Sequence, residues 1–239
     1  MEPTIYKPGA NKTPGVYKGA GGIYNGRGVY NDGAGGDDVK EIEIGGDVYK
    51  YRLMPDGKKW LLENLDYIYK VSGTPIPTSS ATLTDNRRGA YMYNDAATYG
   101  KNGIYKCGLL YNFAAVKYLA DNNTELLPTG WRVPIKEDYD RLITSCGGED
   151  IAGKLLKAVD NSIISGFPQN WNGDDKYKFK SLPSGSYYGS FEFGTYNNFW
   201  TRTQTDSTKA VYFYMNNTDK FLYYSASQQY MRSLRLICD

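Results

Sequence analysis

The sequence predicts an α+β domain preceded by an extended N-terminal arm, and three observations lead there. Residues 1–36 are rich in Gly, Tyr, Asn and Pro with few aliphatics, so they cannot bury a core of their own. From Asp37 onward short apolar–polar alternations recur, the period of half-buried strands. Two helix-spaced apolar patterns interrupt those strands, which indicates α+β. The domains are therefore expected at 1–36, an arm, and 37–239, a globular domain.

In the arm, Gly15-Val16-Tyr17-Lys18-Gly19-Ala20-Gly21-Gly22 recurs as Gly28-Val29-Tyr30-Asn31-Asp32-Gly33-Ala34-Gly35-Gly36. Such a segment is either a disordered leader or an arm that orders against a partner subunit through its Tyr side chains. Val39–Ile44 alternates and reads as a strand, Gly45-Gly46-Asp47 as a turn, and Val48–Leu53 as the returning strand of a hairpin. Lys59–Leu62 is a further short strand, and residues 70–90, rich in Ser, Thr, Pro and Gly, a long surface loop. Leu109–Leu119 spaces Leu109, Leu110, Phe113, Ala114, Val116 and Tyr118 as a helix would. Lys136–Ser145 is the second main helix, with Tyr139, Leu142 and Ile143 on one face and Gly147-Gly148 as its stop. Ile151–Val159 is a shorter helix, and short strands separated by polar turns follow Asp160.

Composition excludes more than it selects. A net charge of +2 gives no electrostatic case for nucleic acid or an acidic membrane. No segment has the length and apolarity of a membrane span. Met1-Glu2-Pro3-Thr4-Ile5 lacks a basic start and an apolar core, so the expectation is a chain made in a cytoplasm or one whose leader has been removed. Cys107, Cys146 and Cys238 are odd in number and widely spaced, which favours free thiols over a zinc or redox pair. The absence of histidine removes Ser-His and Cys-His nucleophile pairs and imidazole metal sites. A non-catalytic protein is expected.

The C-terminal stretch points to binding. Half of the 38 residues of Tyr196–Ser233 are Tyr, Asn, Ser or Thr. Tyr supplies amphipathic contact area at low entropic cost, and Asn and Ser supply adaptable hydrogen bonds, as in antibody binding loops. A Tyr- and Thr-rich antiparallel sheet has the same composition, because both residues favour strands.

Three groups of segments carry a resemblance. They are Trp60-Leu61-Leu62-Glu63-Asn64-Leu65; Gly108-Leu109-Leu110-Tyr111-Asn112-Phe113-Ala114-Ala115 with Pro128-Thr129-Gly130-Trp131-Arg132-Val133-Pro134; and Tyr177-Lys178-Phe179-Lys180-Ser181-Leu182-Pro183-Ser184-Gly185 with Asn198-Phe199-Trp200-Thr201 and Ser233-Leu234-Arg235-Leu236. In order and spacing the set resembles the Fibrobacter succinogenes major paralogous domain over about residues 38–239. That family is similar to the C-type-lectin-like fold of formylglycine-generating enzymes, which implies this fold here. Read as scaffold, Trp60, Trp131 and Trp200 are apolar anchors, and Asn64, Arg132 and Arg235 satisfy buried backbone groups. Where family members often pair cysteines, this chain has Leu127 and Leu236, as if an apolar contact replaced a disulfide.

The resemblance also implies a function. Some lectin-like relatives are variable proteins of diversity-generating retroelements, whose C-terminal codons are randomised on a fixed scaffold. The corresponding ligand-contact set is Thr201, Arg202, Gln204, Tyr212, Tyr214, Asn216, Asn217, Tyr223, Tyr224, Ser225, Gln228, Gln229 and Tyr230. A formylglycine-generating-type oxidase would need a close cysteine pair that this sequence lacks. Asn172, Asp174 and Asp175 offer hard oxygen ligands for calcium, or form a plain polar turn. The expectation is an adhesion protein, a bacteriophage tail-tip or fibre receptor-binding protein assembled in the virion as a homotrimer. Residues 1–36 would meet the virion or sister subunits, and the C-terminal face would meet a host cell-surface glycan or protein. A bacterial surface-display protein and a virion decoration protein without ligand remain as alternatives.

Overall fold

The computed structural model describes residues 38–77, 107–159, 171–188 and 190–239, together with the backbone of 17–19, 22–24, 29–30 and 91–92. Two compact units divide the chain, Met1–Asp37 and Asp38–Asp239. In the first, β1 (Tyr17–Gly19), β2 (Gly22–Tyr24) and β3 (Val29–Tyr30) pair antiparallel. The two copies of the Gly-rich repeat thus contribute β1 and β3.

The second unit mixes helices and strands, as an α+β reading requires. It opens with the hairpin expected from alternation, β4 (Lys40–Ile44) and β5 (Asp47–Leu53). Gly45 and Gly46 make its turn at φ of 65° and 89°, angles that favour glycine. β6 (Lys59–Leu61) pairs with β5. Within the expected 70–90 loop, β7 (Lys70–Val71) and β8 (Thr74–Pro75) form a small hairpin, and 78–90 lie outside the described residues.

β9 (Tyr91–Met92) pairs with β10 (Leu110–Tyr111), and α1 (Phe113–Asp121) follows. The first helix therefore begins four residues later than its apolar spacing suggests. Asn112 sets the start: its backbone is extended and its side chain accepts from the Ala115 N–H at 3.0 Å. Leu109 and Leu110 are apolar because they are buried in an extended segment. After α2 (Asn123–Leu126) and β11 (Trp131–Arg132) comes α3 (Lys136–Ser145), with the bounds expected of it. α4 spans Glu149–Leu156, earlier at both ends than the expected Ile151–Val159. Glu149 and Asp150 suit its positive N-terminal end. Lys157 leaves it to donate to the carbonyls of Asn216 and Thr218, at 2.9 and 2.6 Å.

The remaining strands are β12 (Ser186–Tyr187), β13 (Asn197–Gln204), β14 (Lys209–Met215), β15 (Phe221–Ser227), β16 (Met231–Arg232) and β17 (Ile237–Cys238). They complete sheets of order β11-β17-β6-β5-β4, β12-β16-β10-β9 and β13-β14-β15. Two cores result. One gathers Leu61, Leu65, Phe113, Val116, Trp131, Trp200 and Leu236; the other gathers Trp60, Tyr139, Leu142, Phe179, Phe199, Phe213 and Phe221. Tyr139 centres the second, with the Trp60 and Phe213 rings each 4.8 Å away.

The scaffold readings hold for Trp60, Trp131 and Trp200, all buried. Asn64 donates to the Cys107 carbonyl at 2.9 Å, and Arg235 donates to the Phe179 carbonyl. Arg132 corrects its expectation, since it binds carboxylates rather than backbone: Asp138 at 2.6 and 3.0 Å and Asp239 at 2.9 Å. Two acids reachable from the end of β11 compete better for a guanidinium than a neutral carbonyl does. All three cysteines are buried and outside any disulfide, and burial pushes the Cys107 and Cys146 thiols up to about 12. Leu127 and Leu236 lie in the same core.

Candidate functional site

The sheet β13-β14-β15 has two unlike faces. Alternation sends Val211, Phe213 and Met215 of β14 to one side, where they are buried with Tyr139 of α3 and Leu156 of α4. Tyr212 and Tyr214 go to the other side and stay half-buried. On that side α1 covers one end only, through Phe113 against Trp200 at 5.5 Å. Beyond Trp200 the face forms a cleft of about 410 Å³ that no described helix lines.

Register assigns the cleft's aromatic floor. Tyr212 pairs with Tyr224 and Tyr214 with Leu222, so Tyr224 shares the face of Tyr212 and Tyr214. Tyr224 is 51% exposed, and its ring lies 5.3 Å from Tyr214 and 6.3 Å from Tyr212. Tyr196 and Tyr230 complete the aromatic lining. Tyr230 is held by a stack on Tyr188 at 4.3 Å. Burial, and then the neighbouring Tyr224, raise the Tyr214 phenol above its ordinary range. The Tyr214 phenol is therefore a neutral hydrogen-bonding group at physiological pH.

The polar part of the lining comes from several elements. β12 pairs with β16 and brings Ser186 opposite Arg232. Ser186 donates to Glu192 at 2.5 Å, which fixes the one carboxylate among the lining residues. Asn198 comes from β13 and Asn216 from the β14–β15 turn. The Asn216 side-chain oxygen is occupied by Thr218, accepting at 2.9 and 2.7 Å.

Arg232 is the unusual member. It is 3% exposed, and its guanidinium lies 3.8 Å from the Tyr212 ring centre, 4.5 Å from Tyr230 and 4.6 Å from Trp200. Its Nε and Nη1 are buried with no hydrogen-bond partner among the described residues. Aromatic faces attract the cation, and the Tyr212 hydroxyl lies within hydrogen-bond reach of the guanidinium, but ring faces offer Nε and Nη1 no strong acceptor. Desolvation pushes its pKa down to about 10, opposed by Tyr212, Tyr230 and Glu192. A buried cation with incomplete hydrogen bonding is costly.

Of the residues expected to contact ligand, the structure brings Tyr212, Tyr214, Asn216, Tyr224 and Tyr230 together in this cleft. Thr201 and Gln228 are corrections. Both are buried and donate to backbone carbonyls, Thr201 to Val211 at 2.9 Å and Gln228 to Asp206 at 3.3 Å. Tyr223 and Ser225 alternate to the helix-covered face, where Lys136 sits 3.9 Å above the Tyr223 ring. Arg202, Gln204, Asn217 and Gln229 do not line the cleft. Sequence reasoning missed Ser186, Glu192, Tyr196, Asn198 and Arg232. Tyr196 and Asn198 lay within the Tyr/Asn-rich stretch; for Ser186 and Glu192 no local signal exists, because strand pairing brings in Ser186 and the Glu192 N–H bonds back to the Ser186 carbonyl.

The calcium candidates are each engaged by protein. Asn172 donates to Asp219 at 2.7 Å, Asp174 faces Lys154 at 4.0 Å, and Asp175 accepts from the Lys180 N–H at 2.8 Å. Among the described residues no cluster of acids or thiols is arranged to hold a metal ion, and no helix is long and apolar enough to cross a membrane.

No curated protein and no solved structure matches the chain. The model of the Fibrobacter succinogenes major domain matches residues 56–237, which include most of both cores and the cleft, and the chain belongs to that family.

Proposed function

We propose that the Asp38–Asp239 unit is a non-catalytic ligand-binding domain whose ligand, a cell-surface glycan, occupies the Tyr-lined cleft. The observation that carries this reading is the open face of β13-β14-β15, where Tyr212, Tyr214 and Tyr224 stand side by side in a concavity of about 410 Å³. Ligand sites for small molecules fall in the range of roughly 300–1,000 Å³. A protein partner would need a far larger contact, about 800 Å² per side. Tyr rings offer flat faces to sugar rings and hydroxyls to sugar hydroxyls. Glu192 and Asn198 add the polar contacts that fix orientation. One carboxylate among the lining residues does not make the acid–base pair that glycoside hydrolysis uses.

The finer assignments follow the family resemblance. The fold is C-type-lectin-like, the carrier is a bacteriophage tail tip or fibre, and residues 1–36 attach the domain to it. A homotrimer would present three clefts and gain avidity from them. Buried cysteines outside any disulfide accord with assembly under reducing conditions. Diversified codons, if present, would fall on the cleft Tyr and Asn positions.

Whole-cell binding tests this. Full-length chain is compared on a panel of gut-type bacteria with a folded variant carrying Ser at Tyr212, Tyr214 and Tyr224, and with Tyr223→Ser. Binding to some strains, abolished by the triple variant and kept by Tyr223→Ser, is the expected result. No binding to any strain, or equal binding by all three proteins, would overturn the reading.

A further inference from the structure

We propose that the ligand of this cleft is a carboxylate-bearing sugar, its carboxylate accepting hydrogen bonds from Arg232. The inference rests on the reading of the cleft as a glycan site and adds the charge class of the glycan. Its ground is the state of the Arg232 side chain. The residue is 3% exposed, it forms part of the cleft wall, and two of its three guanidinium nitrogens have no acceptor among the described residues.

The fold shows that this chain can satisfy a buried arginine. Arg235, 1% exposed, donates to the Asn64 side-chain oxygen at 3.0 and 3.3 Å and to the Phe179 carbonyl. Arg232 has the cation–π partners of such a site and the Tyr212 hydroxyl within hydrogen-bond reach, but no described acceptor at Nε or Nη1. A buried donor left unmade costs more than a made bond returns, so a ligand oxygen that completes the set gains more than the same oxygen would at an exposed arginine. A charged acceptor gains most, because charge-assisted bonds are about twice as strong as neutral ones.

The neighbours narrow the anion. Glu192 lines the same cleft and is fixed by Ser186. Its charge disfavours a dianionic phosphate but tolerates a single carboxylate held against Arg232. Glu192 itself can only accept, so it calls for a donor, which a sugar hydroxyl supplies. Tyr214 and Tyr224 supply ring faces. The combination of one anionic group, several hydroxyls and a flat apolar ring face describes a uronic or nonulosonic acid residue.

Calorimetric titration of the full chain decides it, with two acid–neutral pairs as probes. These are tetragalacturonate against its methyl ester, and 3′-sialyllactose against lactose. At least one acid should bind at least about tenfold more tightly than its neutral partner, the worth of one charge-assisted bond. Arg232→Met, confirmed folded by circular dichroism, should bring the acid to the level of the neutral sugar. Glu192→Gln, which removes the like charge without touching Arg232, should raise the acid-to-neutral ratio, and it keeps the test available should Arg232→Met not fold. Equal affinity within both pairs overturns the carboxylate assignment and leaves the glycan site standing. No binding of any probe, while Tyr224-dependent cell binding persists, overturns it equally. Loss of both cell binding and probe binding overturns the parent reading as well.

Discussion

Arg232 and Arg235 are three residues apart, equally hidden from water, and opposite in circumstance. In extended chain an odd offset places side chains on opposite sides. Arg235 enters the core built around Tyr139, 4.1 Å from the Phe179 ring, and its donors meet Asn64 and the Phe179 carbonyl. Arg232 enters the cleft side, among Trp200, Tyr212 and Tyr230, with Nε and Nη1 unmet. Burial pushes both pKa values down to about 10. The same burial thus has two uses. On the closed side it is offset by hydrogen bonds and serves folding. On the open side it is left standing, the pattern expected where stability is given up for binding.

The largest break in that contrast is Arg235→Met. It removes a guanidinium that ties the closing segment to Asn64 and to the Phe179 carbonyl, and strands both acceptors. A loss of about 3–5 kcal/mol is expected, the scale for breaking a buried charged network, read as a lower urea midpoint at unchanged slope.

The paired side can also be weakened through Asp138. Its side chain is fully buried, accepts from the Ile135 N–H at 2.8 Å and pairs with Arg132 and Arg141. Burial works to raise this carboxyl, but Arg132, the Ile135 amide and Arg141 outweigh it and hold it below the usual range. For an acid with a depressed folded pKa, the stabilisation is fully present above the unfolded value of about 4 and is lost as pH falls through the folded value. Thermal unfolding should therefore show a steep loss below about pH 4 that is shallower in Asp138→Asn. That variant should cost roughly 2–3 kcal/mol at neutral pH, where it removes a cap and an ion pair.

On the open side the effects move from folding to binding. Tyr224→Ala should weaken cell binding by up to ~2 kcal/mol, as a hot-spot aromatic does, with little change in melting temperature. Tyr223→Ala, its neighbour on the helix-covered face, should leave binding unchanged, although Lys136 loses its ring. The two adjacent tyrosines thus test the register directly.

Much of the scaffold was legible in the sequence. The β4–β5 hairpin follows from strict alternation around Gly45 and Gly46, and α3 from its Tyr139, Leu142 and Ile143 spacing. Leu109–Tyr111 misled because a strand buried on both faces and a helix face share an unbroken apolar run; Asn112 was the overlooked stop. The Tyr-rich stretch was visible by composition, but composition cannot separate Tyr223 from Tyr224. Only pairing with β14 does that. Arg235 was legible as scaffold. Arg232 was not singled out, because its meaning lies in which acceptors are missing, and that depends on Trp200, Tyr212 and Tyr230 meeting from two strands and a turn.

The smallest expected stability effect carries the central claim. Arg232→Met removes a buried cation with two unmet nitrogens and leaves an apolar side chain among aromatic rings. Urea unfolding of this variant, measured beside cell binding on the same preparation, is the most direct test. The account predicts stability unchanged within about 1 kcal/mol or increased, with binding lost. A loss of stability as large as that of Arg235→Met, or full stability with binding intact, would contradict it.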